Sequence, residues 1–133
     1  ISESREWISL QIQCWEEGTE YSFTIRNQRE HLVGGCGLNH LNPLDKIANL
    51  GYWVRSGHTG KGNATAATKL LAGFAFDQLD VKRIEIVAAL DNVPSQRVAE
   101  RAGAKREGVL RNRLFLHDQS HDAIMYSLVP EEV

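Results

Sequence analysis

The stretch that most limits what this chain can fold into is Gly51–Leu79, GYWVRSGHTGKGNATAATKLLAGFAFDQL. It opens as an aromatic strand (Tyr52, Trp53, Val54), breaks at Gly57, Gly60 and Gly62, and continues as a helix. Apolar residues recur there at Ala64, Ala67, Leu71, Phe74, Ala75 and Leu79, three or four apart. A strand, a glycine turn and a helix start together make an anion site. The first helical N–H groups have no internal acceptor, and the helix dipole places about half a positive charge there. Glycine lets that backbone approach a phosphate closely, and Lys61 adds a full charge. A plain glycine-rich connection is the other reading of the same residues. Spelling excludes two nucleotide motifs. A P-loop requires glycine where Arg55 stands and a hydroxyl residue where Gly62 stands, and the dinucleotide fingerprint requires glycine at Thr65. The chain spells G-x-G-x-A through Gly60, Gly62 and Ala64.

The remaining chain sets the scale. Its 133 residues suit one domain, read here as 1–133, and a net charge of −2 gives no reason to expect a nucleic-acid or anionic membrane surface. No apolar run approaches the ~18 residues of a membrane span. Two cysteines, Cys14 and Cys36, make no disulfide framework and point to a reduced, cytoplasmic setting. The dense apolar run Trp7, Ile8, Leu10, Ile12, Cys14, Trp15 predicts a helix over Ser2–Glu17, capped by Ser2 and ended by Gly18. Strands are expected at Tyr21–Arg26, His31–Leu41 and Lys46–Val54, with Gly34-Gly35 marking a bulge or a close neighbour. Past the long helix, Lys82–Leu90 alternates as a central strand. A second helix starts near Asn92 and ends at Gly103, and Ala104–Phe115 with Asp122–Leu128 form a closing hairpin. This order implies a mixed sheet in which the strands flanking the long helix lie parallel and adjacent. A metal reading of His117, Asp118, His121 and Asp122 is set aside, because the segment reads as a hairpin turn rather than a helix.

The G-x-G-x-A loop behind GYW resembles the motif of the GNAT N-acetyltransferases, Q/R-x-x-G-x-G/A. Further runs match in order: Leu32-Val33-Gly34, Asp91-Asn92-Val93-Pro94-Ser95, Glu100-Arg101-Ala102-Gly103, Glu107-Gly108-Val109-Leu110-Arg111 and Met125-Tyr126-Ser127-Leu128. Within that superfamily the chain is most similar to the ribosomal-protein N-terminal acetyltransferases of the RimJ/RimL type. The resemblance implies an α+β fold: a mixed, mostly antiparallel sheet splayed between two parallel strands, with helices on both faces. It also implies a leading strand and helix that this chain, starting at Ile1, lacks. The activity implied is acetyl transfer from acetyl-CoA to a primary amine, such as a protein N-terminus. A non-catalytic acyl-CoA-binding or sensing module is the alternative.

Residue by residue, the resemblance assigns Thr59, Gly60, Lys61, Gly62, Asn63, Ala64 and Thr65 to the diphosphate and Asn92 to the pantetheine arm. Backbone N–H groups near Val54 would polarise the thioester oxygen, and Ser95 would be the general acid. Asn92 also reads as a helix cap and Ser95 as an ordinary first-turn serine. Thr59 stands where the family has Gln or Arg. Ala99 replaces the usual tyrosine acid, and Asn49 and Leu114 replace two familiar carboxylates, so no general base is named. No metal is expected. The partner expected is an amine acceptor, protein or small molecule, with a homodimer through the final hairpin as an open option.

Overall fold

The structure, a computed structural model, describes residues 9–15, 20–26, 31–54 and 62–132. Among these residues the strands are β1 (Ser9–Trp15), β2 (Tyr21–Arg26), β3 (Leu32–Asn42), β4 (Ile47–Val54), β5 (Arg83–Ala89), β6 (Lys105–Leu116) and β7 (Gln119–Leu128). The helices are α1 (Asn63–Gln78) and α2 (Val93–Arg101). The strands form a single sheet in the order β1-β2-β3-β4-β5-β7-β6. All neighbours are antiparallel except β4 and β5, which are parallel and joined through α1, as the crossover rule requires.

One expectation fails. Within the described part of Ser2–Glu17 there is no helix, because Ser9–Trp15 is a strand on the edge of β2. The cause is in the spelling: Ser9, Gln11 and Gln13 alternate with Leu10, Ile12 and Cys14, a period of two. In register, Leu10 lies opposite Ile25 and Ile12 opposite Phe23, so the alternation meets that of β2. Density of apolar residues concealed their period.

Register also defines two faces. Phe23 pairs with Cys36 and Cys36 with Tyr52; Ala48 pairs with Ile84, and Ile86 with Tyr126. These positions share one face, and both helices cover it. Phe74 of α1 meets Tyr21 and Phe23 edge-on at 6.0 Å, and the Tyr126 hydroxyl donates to Glu100 of α2 at 2.9 Å. Ile25, Leu38, Leu50, Leu71, Ile84, Ile86, Ile124 and Leu128 are fully buried between sheet and helices. Each contributes about 1.5–3 kcal/mol of burial. The opposite face carries Asn39, Asn49, Glu85, Arg83, Ser127 and Trp53, and no described helix lies on it. Helical cover is therefore seen on one face only among the described residues.

Gly34 and Gly35 satisfy both expectations placed on them. The β2–β3 register slips beside Gly34, and a Cβ at Gly34 would sit 2.2 Å from the Trp53 carbonyl oxygen. At the far end of the sheet, His117 and Asp118 form the β6–β7 turn with φ of 52° and 61°. That is the left-handed geometry of a two-residue hairpin turn.

Candidate active site

The site begins where the sheet divides. β4 and β5 share three rungs, Ile47–Arg83, Ala48–Ile84 and Asn49–Glu85. β4 then runs on to Val54 and β5 to Ala89 with no further pairing between them. Two helix starts face this parting. α1 follows Gly62, whose φ of 79° is left-handed and suits glycine. Its first bond runs from the Ala66 N–H to the Gly62 carbonyl at 3.0 Å, so the N–H groups ahead of Ala66 have no helical acceptor. α2 is capped by Asn92, whose Oδ1 accepts from the Ser95 N–H at 3.2 Å. The cap reading of Asn92 therefore holds, and Asn92 still lines the cleft.

Between these parts lies a cleft of about 610 Å3. Of the residues singled out from the sequence, Val54, Gly62, Asn63, Ala64, Thr65, Asn92 and Ser95 all line it. Thr59, Gly60 and Lys61 lie outside the described residues. Asn63 is 2 % exposed, and neither its amide nitrogen nor its amide oxygen has a partner. A buried amide left this way costs about 1–3 kcal/mol. It is explained if a polar ligand completes it.

From the sequence Tyr52 is only an aromatic strand residue; in the structure it lines the cleft. Its hydroxyl donates to the Ser95 carbonyl at 2.6 Å, and the Ser95 hydroxyl makes a longer contact, 3.4 Å, back to it. Burial pushes the Tyr52 hydroxyl above its ordinary pKa, so it stays protonated at neutral pH. Ala99, one turn beyond Ser95, is fully buried. Arg97 and Arg101, one turn apart on α2, also line the cleft and add positive charge. Their i, i+4 spacing was the signal available in the sequence.

Elsewhere the departures have simple settings. Asn49 donates to the Asn39 Oδ1 at 2.9 Å. Leu114 pairs with His121 out on the β6–β7 hairpin, well along the sheet from the parting. Among the described residues no group of three or more His, Cys, Asp or Glu side chains is placed to hold a metal. No described helix is long and apolar enough to cross a membrane.

Comparison with known proteins agrees with this geometry. The family described as acetyltransferase (GNAT) domain matches residues 1–105. YdaF of Bacillus subtilis, named by inference a ribosomal N-acetyltransferase, is 39 % identical over 101 residues, covering 76 % of this chain and 55 % of its own length. The ribosomal-protein-serine acetyltransferase of Escherichia coli is 29 % identical over 127 residues, covering 96 % of this chain and 70 % of its own. A solved Vibrio cholerae structure, named by inference a ribosomal-protein-serine acetyltransferase, superposes with a TM-score of 0.78. It is 34 % identical and covers 86 % of this chain and 66 % of that one. This chain thus spans little more than half of the first relative and about two thirds of the solved structure. A parted β4–β5 pair, a helix start aimed into the gap and a family match over most of the length converge: the chain belongs to the GNAT acetyltransferase family.

Proposed function

We propose that this chain carries the catalytic centre of an N-acetyltransferase that moves an acetyl group from acetyl-CoA to a primary amine, the N-terminal amine of a ribosomal protein being the acceptor favoured by its relatives. The observation that carries the reading is the parting of β4 from β5 beside the buried, unpartnered amide of Asn63. GNAT acetyltransferases use acetyl-CoA, which supplies an activated thioester.

The residues fit that substrate. The N–H groups of Gly62, Asn63, Ala64 and Thr65, which lack a helical acceptor, and the Asn63 side chain would hold the diphosphate, with Gly60, Lys61 and Thr59 completing the loop. Arg97 and Arg101 would balance the remaining phosphate charge. The unpaired edge of β4 through Val54 offers backbone donors to the amide-rich arm and to the thioester oxygen. Asn92 stands at the arm's side of the gap. Ser95, held beside Tyr52, would protonate the leaving thiolate. Holding amine and thioester in contact supplies the largest share, up to about 7–11 kcal/mol of the barrier.

Calorimetry with acetyl-CoA, followed by thiol release with a panel of serine-initiated peptides and small amines, tests this. Micromolar binding and peptide-dependent thiol release are expected from the full-length protein. Binding without turnover on any amine would leave a sensing module, and absence of binding would remove the assignment.

A further inference from the structure

We propose that Glu85 receives the acceptor's ammonium group and takes its proton, with Asn49 as the second ligand to that nitrogen; this deepens the acetyltransferase reading and rests on it. The registers place Asn39, Asn49, Glu85, Ser127 and Lys105 on one rung across five strands, on the face opposite the helices. Asn49–Glu85 is the last rung before β4 and β5 part. Any group delivered through the gap from the helix side reaches the other face beside these two side chains.

Each of the two has one oxygen committed to nothing among the described residues. The Asn49 amide nitrogen donates to Asn39, which leaves the Asn49 Oδ1. Arg83 Nε donates to the Glu85 Oε2 at 2.9 Å, which leaves Oε1. Neighbouring strands are about 4.8 Å apart, so two acceptors on one rung can both reach a single –NH3+ with bonds near 2.8 Å. Charge favours the same ligand. The charged groups around Glu85 on this face are Arg83, Glu107 and Lys105. Arg83 is already held by Glu107 through both terminal nitrogens, at 3.0 and 2.6 Å, and the Ser127 hydroxyl donates to that same carboxylate. One guanidinium between two carboxylates leaves a net negative charge at Glu85. Lys105 sits two strands away, beyond Ser127.

The step balances simply. Glu85 accepts one proton from R–NH3+, and the freed amine lone pair forms the C–N bond. The C–S bond breaks and the thiolate takes a proton from the Ser95 hydroxyl; the nitrogen sheds its second proton as the neutral amide forms, that proton restores the Ser95 hydroxyl through water, and Glu85 passes its own proton to water. The carboxylate position that Asn49 leaves vacant on β4 is thus filled from the adjacent strand.

The test compares the full-length protein with its Glu85→Gln variant. The variant should bind acetyl-CoA within two-fold of the parent, while kcat/KM for a primary amine falls about 100-fold near neutral pH, the scale of general-base catalysis. That deficit should shrink as pH rises past the amine's own pKa, because the acceptor then arrives deprotonated. A pH-independent deficit, or none, overturns the proposal. A second arm needs no turnover: the Glu85 side-chain carboxyl 13C signal should move on adding methylammonium and stay still with tetramethylammonium, which has no N–H. Equal response to both, or to neither, also overturns it. Failure of acetyl-CoA to bind the parent would instead sink the transferase reading, with the NMR arm still deciding the fate of the ammonium site.

Discussion

The hydroxyl of Tyr52 on β4 lies 2.6 Å from the carbonyl oxygen of Ser95 on α2, spanning the gap where the sheet has stopped pairing. Because β4 and β5 share only three rungs, little else fixes the first turn of α2 against β4 at this level. Tyr52→Phe should cost about 1 kcal/mol of stability, the usual worth of one hydrogen bond. It should lower kcat about 10-fold by loosening Ser95 and leave the KM for acetyl-CoA nearly unchanged. Steady-state kinetics beside urea unfolding separate the two effects, and an unchanged kcat would assign the phenol a purely structural part.

Asn63 predicts an opposition between stability and binding. Its buried amide is unpaired in the free chain, so Asn63→Ala removes an existing cost of about 1–3 kcal/mol and improves helix propensity. The unfolding midpoint should hold or rise while acetyl-CoA affinity drops about 10-fold. Calorimetry showing undiminished affinity would mean that this amide does not face the ligand.

Arg97 and Arg101 should act by charge alone. Both are exposed, so each is worth about 1 kcal/mol or less toward a phosphate group. Replacing both with alanine should raise the acetyl-CoA KM several-fold at low salt and keep kcat. The difference from the parent should close at high ionic strength, where such contacts are screened. A salt-independent change would point to packing instead.

Glu107 gives a pH prediction. Hydrogen bonds from Arg83, then Ser127, hold its carboxyl down to about 2, against an ordinary 4.5. A carboxyl with a depressed folded pKa binds its proton more readily when the chain is unfolded. Its contribution is therefore complete above about pH 4.5 and is lost as pH falls toward about 2. Urea midpoints measured from pH 5 to 2.5 should fall in the parent. They should fall less steeply in Glu107→Gln, which starts lower and has no carboxyl to protonate.

Much of this was readable in advance because it is local. The turn into α1 announces itself through Gly60 and Gly62, α2 through Asn92 and Gly103, and the closing hairpin through its alternation. β1 was misread because Trp7, Ile8 and Trp15 crowd around a stretch whose period is two. The residues missed in the site are those whose meaning depends on distant partners. Tyr52 is an ordinary strand aromatic until α2, forty-three residues on, brings Ser95 to its hydroxyl. Glu85 is one more alternating strand residue until the register sets it beside Asn49 at the point of division.

The three shared rungs carry one more implication. They divide the sheet into β1-β2-β3-β4 and β5-β7-β6, joined by a short seam beyond which β4 and β5 pair no further among the described residues. An elongated, amide-bearing ligand in that seam would play the part of a missing strand. Its departure would free the two parts to pivot, so melting temperature should track occupancy of the seam more steeply than its small contact area suggests.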